Sequence, residues 1–351
     1  MSIKSILNGK SDIDREFQSI VKSIMPTKEL FETMSGERAF SKYPIKVFSE
    51  NADGNYASLV GIAFDYLARA IIAHVLTGAK EKSTVGYKAI YGIKHWCRYL
   101  NEEDYELLLN YSIDVLSDFI DYIYHCPPAP DVDLLNEVCN DLEWTAWCRF
   151  VKNADSENHK VVSCIEDLIN GAIFFAKMEQ IYRSGCLPSE NVCDLLSTSN
   201  DDMFDDLKKL CKVFVETFID SGIVTEDSVV VFNPSFGISS FACGGADADI
   251  YIDGTLYDFK TSKTSGYKGQ EIAQITSYWL LDIVANSIEG VNEPSDLSEF
   301  RVDNIALYKA RFGQIEYCPI ELITDEYFDE KLHSFGKHIL DRLTIIFADE
   351  E

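Results

Sequence analysis

Residues Gly244–Lys260 read GGADADIYIDGTLYDFK, and this stretch decides the fold. Asp253-Gly254 is a dipeptide favoured in two-residue type I′ turns, and alternating residues flank it, so the pattern predicts a β-hairpin. Closing that turn pairs Ile252 with Thr255, Tyr251 with Leu256, Ile250 with Tyr257 and Asp249 with Asp258. Side chains alternate along a strand. Ala248, Ile250, Ile252, Thr255, Tyr257 and Phe259 therefore share a face that suits a core. Asp247, Asp249, Asp258 and Lys260 share the other, at the end away from the turn.

Two carboxylates directly opposite each other lie about 5 Å apart at Cβ and repel. A cation between them would hold the arrangement. Hard divalent ions such as Mg²⁺ take oxygen ligands, commonly one or two carboxylates with waters and substrate phosphates. Lys260, one step further on the same face, is placed to orient or help deprotonate a water, or to balance the charge of a phosphate. Metal, water and cationic neighbour together suit phosphodiester hydrolysis. The plain alternative is a solvated edge of an acidic chain. Asp206-Leu207-Lys208 and Asp329-Glu330-Lys331 repeat the Asp-x-Lys spacing, but in helical patterns, where i and i+2 do not share a face.

A chain of 351 residues with 46% hydrophobic composition has room for one or two domains and a sizeable core. Its start lacks the apolar run of a secretory signal. The longest apolar stretch, Ala57 to Leu76, is interrupted by Asp65, Arg69 and His74, so it reads as a buried helix rather than a membrane span. Ten cysteines without a CxxC pair give no support for a zinc ribbon or a disulfide framework, and a cytoplasmic setting with reduced thiols is expected. The net charge of −27 opposes phosphate binding unless positive charge is local. Two stretches are locally basic: Lys80, Lys82, Lys88, Lys94 and Arg98 against Glu81 alone, and Lys260, Lys263 and Lys268 without an acid. A solvated helix face and a flexible loop are the plain alternatives.

Ala57–Leu76 has helical spacing, with Val60, Phe64, Leu67, Ile71 and Val75 on one face and Asp65 set to pair with Arg69. From about 84 to 225 the chain reads as successive helices, including 86–100, 105–124, 134–152 with Trp144 and Trp147, 161–182 and 203–220. Breaks fall at 126–130, 153–158 and 185–191. After Gly222 the pattern changes. A strand over Ser228–Phe232, the hairpin, a helix from about Gln270 to Ala285, strands over 304–311 and 314–318, and a closing helix from 325 to 347 are predicted. The sum is an α/β core with a large helical insertion.

In their order these residues resemble the PD-(D/E)XK nuclease superfamily, in its RecB-like and lambda-exonuclease-like branch. That branch carries G-x-x-x-H on an early helix, an Asp on one strand, (D/E)-x-K on the next and Q-x-x-x-Y on a following helix. Here Gly61 to Asp65, Asp249, Asp258-Phe259-Lys260 and Gln274 to Tyr278 stand at those places. Asp65 stands where the branch usually has His, and Ala248 rather than Pro precedes Asp249. The likeness covers about 20 residues of helix and about 35 around the hairpin.

The resemblance implies a restriction-endonuclease-like α/β core, a mixed central sheet flanked by helices, carrying the all-helical insertion. The expected divisions are 1–83, an N-terminal segment with the first core helix; 84–225, the insertion; and 226–351, the sheet, the Q-x-x-x-Y helix and the closing helix. It implies that Asp249, Asp258 and the Phe259 carbonyl bind Mg²⁺ or Mn²⁺, with Asp65 as a further ligand. Lys260 would position or activate the attacking water, and Gln274, Tyr278 and Lys263 would support site or substrate. Cys318 is the only cysteine after Cys243, so the iron–sulfur cluster of some relatives is not expected. The expected partners are DNA and a protein partner or second copy, with no membrane. The expected activity is metal-dependent DNA hydrolysis in repair, restriction or phage defence. A non-catalytic binding or assembly subunit on the same fold stays open, as does a hydrolase of small phosphate esters.

Overall fold

The computed structural model describes residues 3–49, 54–76, 87–124, 142, 145, 146, 162–287 and 293–348. Contacts divide the chain into two units, Met1–Ile45 with Ser228–Glu351, and Lys46–Asp227. The first unit opens with α1 (Ile3–Leu7), α2 (Asp12–Ile24) and the short β1 (Glu32–Thr33). The second holds α3 (Gly54–Val75), α4 (Tyr87–Cys97), α5 (Glu102–Tyr124), α6 (Ile169–Ser184), α7 (Val192–Ser197) and α8 (Asp201–Phe214). The chain then returns to the first unit with β2 (Val230–Phe232), α9 (Gly237–Ala242), β3 (Ile250–Ile252) and β4 (Thr255–Lys260). It ends with α10 (Gly269–Ser287), β5 (Asn304–Lys309), β6 (Gln314–Pro319) and α11 (Phe328–Ala348).

The hairpin turn closes with Asp253 at φ 43° and Gly254 at φ 89°, the positive values a type I′ turn requires. Ile252 pairs with Thr255, Tyr251 with Leu256 and Ile250 with Tyr257. The six strands run in the order β1-β6-β5-β4-β3-β2. Among the described strands only β4 and β5 pair in parallel, so the sheet is mixed. A parallel neighbour needs a crossover, and α10 supplies it between β4 and β5. The protein is thus mixed α/β, with 59% of the described residues helical.

In the first unit one sheet face packs Leu256, Ile305, Leu307 and Cys318 against Ile272, Ile275 and Trp279 of α10, with Phe17 of α2 and Phe335 of α11 in the same core. Each such buried side chain contributes about 1.5–3 kcal/mol. The sequence expectation gave the core to the opposite hairpin face alone. Both faces of β4 are buried, Leu256 and Asp258 on one and Tyr257 and Phe259 on the other. Leu256 starts the inward row that Asp258 and Lys260 continue.

The second unit, among its described residues, contains helices and no strand. In α3, Val60, Phe64, Leu67 and Ile71 are buried, and α3 packs on α5, α6 and α8. The helix is long and apolar enough to cross a membrane, and 67% of its most apolar stretch is buried inside the protein. These contacts place α3 with the other helices, so the unit begins at Lys46 where the sequence suggested 84. Of the expected helix at 134–152 only 142, 145 and 146 are described, all three helical, while Trp144 and Trp147, the breaks at 126–130 and 153–158, and Lys80 and Lys82 lie outside the described residues.

α4 lies closely on α6 because Gly92 has no side chain. A Cβ there would meet the Met178 carbonyl oxygen at 1.9 Å. Gly92→Ala is expected to lower stability by about 1–3 kcal/mol through overpacking, although alanine is the better helix former. A urea titration read by far-UV circular dichroism checks this. An unchanged or raised midpoint would show that the helices separate at no cost.

Candidate active site

The site is built where β4 ends. Asp258 and Lys260 occupy the last inward positions of that strand, and strands on both sides leave Asp258 1% exposed. Asp249 immediately precedes β3, at the position facing Asp258 once the ladder is extended from Ile250 and Tyr257. Its Oδ2 accepts a hydrogen bond from the Phe259 N–H at 2.5 Å. In a strand a residue's N–H and C=O point to the same side, so the Phe259 carbonyl is directed to the Asp249 side. This pair is not the solvated edge that the acidic composition allowed.

The Lys260 ammonium is ion-paired with the Asp258 carboxylate. It also donates to Gln274 Oε1 at 3.2 Å. Gln274 Nε2 in turn donates to the Tyr278 hydroxyl at 2.7 Å. Gln274 and Tyr278 are one turn apart on α10, both buried, and the Tyr278 ring stacks on Phe236 with centroids 5.6 Å apart. Asp249, Asp258, Lys260, Gln274 and Tyr278 are thereby brought together from β3, β4 and α10.

The charges follow from burial. Asp249 is pushed up to about 6, first by desolvation and then by the facing Asp258 charge, with Lys260 and the Phe259 N–H pulling the other way. For Lys260 desolvation favours the neutral amine, but Asp258 and Asp249 outweigh it and raise its pKa. Lys260 is therefore a firm cation at neutral pH. Burial, then Asp258 and Asp247, hold the Tyr278 phenol well above its ordinary value, so it stays neutral. A buried carboxylate needs a partner, and here one lysine serves two.

Two groups at the site escape the sequence reading. Lys309 on β5 is fully buried and sits beside Lys260 in the parallel ladder. Its Nζ meets Glu271 Oε2 at 2.5 Å. Glu271 also pairs with Lys268 at 3.1 Å. Burial raises the Glu271 pKa, and Lys309, Lys268 and Lys260 lower it by more. Glu271 stands three residues before Gln274 on α10, one face of one helix; that spacing was the signal available. Lys309 had none, because its place depends on the strand order.

Two further expected site residues are Lys263 and Asp65. Lys263 is partly buried in the loop between β4 and α10. Asp65 is partly buried on α3, in the other unit. Among the described residues Asp65 forms no ion pair with Arg69, whose guanidinium lies over the Tyr66 ring at 4.8 Å. Nor do three or more His, Cys, Asp or Glu side chains gather around one metal-sized space among the described residues. The group at β4 offers two carboxylates. Comparison of the chain with protein-family models, with curated proteins and with solved structures finds no match.

A raised acid pKa means that the folded state holds its proton more tightly than the unfolded chain. Asp249 thus costs stability at neutral pH, and the cost fades as pH falls from about 6 towards the ordinary 3.8. In chelator at pH 7, Asp249→Asn is expected to be more stable than the parent by about 1–2 kcal/mol, with the gain vanishing near pH 4. Urea midpoints across this range check it. A gain independent of pH, or a loss at pH 7, would show that the facing charges do not repel.

Proposed function

We propose that this chain is a metal-dependent nuclease that hydrolyses DNA phosphodiesters, on a core of the restriction-endonuclease-like type interrupted by a helical insertion. One observation carries the reading: Asp249 and Asp258 face each other beside Lys260, Asp258 buried and the other two half-buried, with more negative charge than Lys260 offsets. Folding alone gives no reason to keep that excess, and a cation-dependent site does.

The donors fit a divalent ion. Asp258 Oδ2 is buried with the Lys260 ammonium as its ion-pair partner, and Asp249 is driven towards protonation by burial and then by the facing Asp258. A cation between the two relieves both. Asp249, Asp258 and the Phe259 carbonyl would hold Mg²⁺ or Mn²⁺, in keeping with ions that take one or two carboxylates and leave places for water and phosphate. Such an ion, when bound, supplies Lewis acidity and makes water a competent nucleophile near neutral pH.

Lys260, held as an ammonium, donates to the attacking water or to a non-bridging phosphate oxygen and offsets the charge that develops there. Gln274 keeps the amine from swinging away, and Tyr278 fixes the Gln274 amide. Glu271 and Lys309 brace the same end of the sheet. The choice of DNA, and of repair, restriction or phage defence in the cytoplasm, rests on the resemblance of these motifs to the PD-(D/E)XK superfamily. The net charge of −27 favours a second reading, a binding or assembly subunit whose partner carries the DNA.

Plasmid and linear DNA, incubated with the purified chain and Mg²⁺ or Mn²⁺, are expected to be cut. Asp258→Ala and Lys260→Ala should each lose about a hundredfold or more in rate. Mg²⁺ should raise the thermal midpoint of the parent and not that of Asp258→Ala. Cleavage that survives both substitutions would place the chemistry elsewhere. A parent that neither cuts nor gains stability from the ion would leave the binding-subunit reading standing.

A further inference from the structure

The basic stretch noted in the sequence resolves, in its described part, into one face of α4 and the turn that follows it. At helical spacing Lys88, Tyr91, Lys94, His95, Arg98 and Tyr99 point the same way. Ala89, Ile90, Ile93 and Trp96 point the other and are buried. α4 contains no acidic residue, in a chain of net charge −27. The face runs about 16 Å from Lys88 to Tyr99, at 1.5 Å per residue.

Its aromatic rings are placed by packing and left at the surface. Gly92 seats α4 on the Met178 backbone of α6. Tyr91, next to Gly92, then stacks on Tyr182, one turn beyond Met178, with centroids 5.8 Å apart and planes within 28°. Tyr91 is 54% exposed, Tyr182 44% and Tyr99 63%. The His95 ring stands edge-on to Tyr99 at 5.5 Å. Lys94 and Arg98 make no ion pair among the described residues. Arg183 reaches the buried Glu179, whose other hydrogen bond comes from Tyr66, and keeps 48% of its side chain exposed. The acidic first turn of α5, Glu102 to Asp104, bounds the face at one end.

We infer that this α4–α6 face is a binding surface for single-stranded DNA. Cations alternating with exposed rings are what an unpaired strand uses: phosphates meet Lys94 and Arg98, and a base stacks on the Tyr91–Tyr182 pair. A duplex keeps its bases stacked inside and has no use for the rings. The choice of DNA over RNA rests on the nuclease reading. The binding itself does not, since every group named lies in the helical unit.

Fluorescence anisotropy of a labelled 20-mer of thymidylate, in EDTA so that nothing is cut, tests this. The parent is expected to bind the single strand more tightly than a duplex of equal length. Lys94→Ala with Arg98→Ala should make the slope of log K against log salt shallower by about 1.4. Tyr91→Ala should weaken binding about tenfold, and Tyr91→Phe, which keeps the ring, should restore it; circular dichroism confirms that each variant is folded. A parent that binds no single strand at low salt overturns the inference. So do variants that bind as the parent does, and a duplex preference untouched by Tyr91→Ala. If the substitutions instead abolish self-association without affecting DNA, the face belongs to a second copy of this acidic chain. The nuclease reading fails separately, through binding in EDTA without cleavage in Mg²⁺.

Discussion

Two carboxylates held opposite each other with one lysine beside them set terms that the rest of the sheet must meet. Asp258 is almost fully buried and Asp249 leans on a backbone N–H. Asp258 cannot turn to water to shed the repulsion, and the half-buried Asp249 is tied by that bond. The strand bearing them is fixed on both edges, by β3 and by the parallel β5, so relaxation by fraying is closed off too. The cost of that closeness is carried by the apolar core beneath, where Leu256, Leu307 and Ile275 pack. A sheet edge would have let the charges splay into solvent and destroyed the arrangement.

The same end of the sheet repeats this solution one strand further on. Lys309 is buried beside Lys260 and is answered by Glu271, with the Phe40 ring 5.7 Å from its ammonium. Phe40 stands at φ 55°, a left-handed backbone that costs a bulky residue about 1–2 kcal/mol. Glu316, itself buried on β6, holds it there by accepting the Phe40 N–H at 2.7 Å and the Tyr43 hydroxyl at 2.8 Å. Acids and lysines thus share one face of β4, β5 and β6. Strain at Phe40 is the local consequence of capping a buried lysine with a ring.

What the sequence disclosed was local. The Asp-Gly turn fixes the register of β3 on β4 through adjacent residues, so Asp249 and Asp258 were bound to meet. Gln274 and Tyr278 needed only a helix and a four-residue spacing. What it withheld was decided by distant partners. β1 has two residues and is a strand only because β6 receives it. Lys309 looked like any strand-end lysine until β5 took its place beside β4. The expected Asp65–Arg69 pair obeyed helical spacing, but Arg69 is buried and meets the Tyr66 ring instead. α3 went to the helical unit for the same kind of reason: its apolar face finds its partners on α5, α6 and α8.

The net charge was the weakest guide, because it averages over distances that charges do not span. Exposed charges more than about 8–10 Å apart are largely screened at physiological salt. A field that a phosphate feels is therefore set by its immediate neighbours. α4 has no acid and presents its cations on one face, whereas the next helix opens with Glu102, Glu103 and Asp104. Segregation on this scale lets an acidic chain repel most of a polyanion's length and still accept a short segment of it. At the end of the stripe marked by Glu102 to Asp104, a polyanion would meet charge of its own sign.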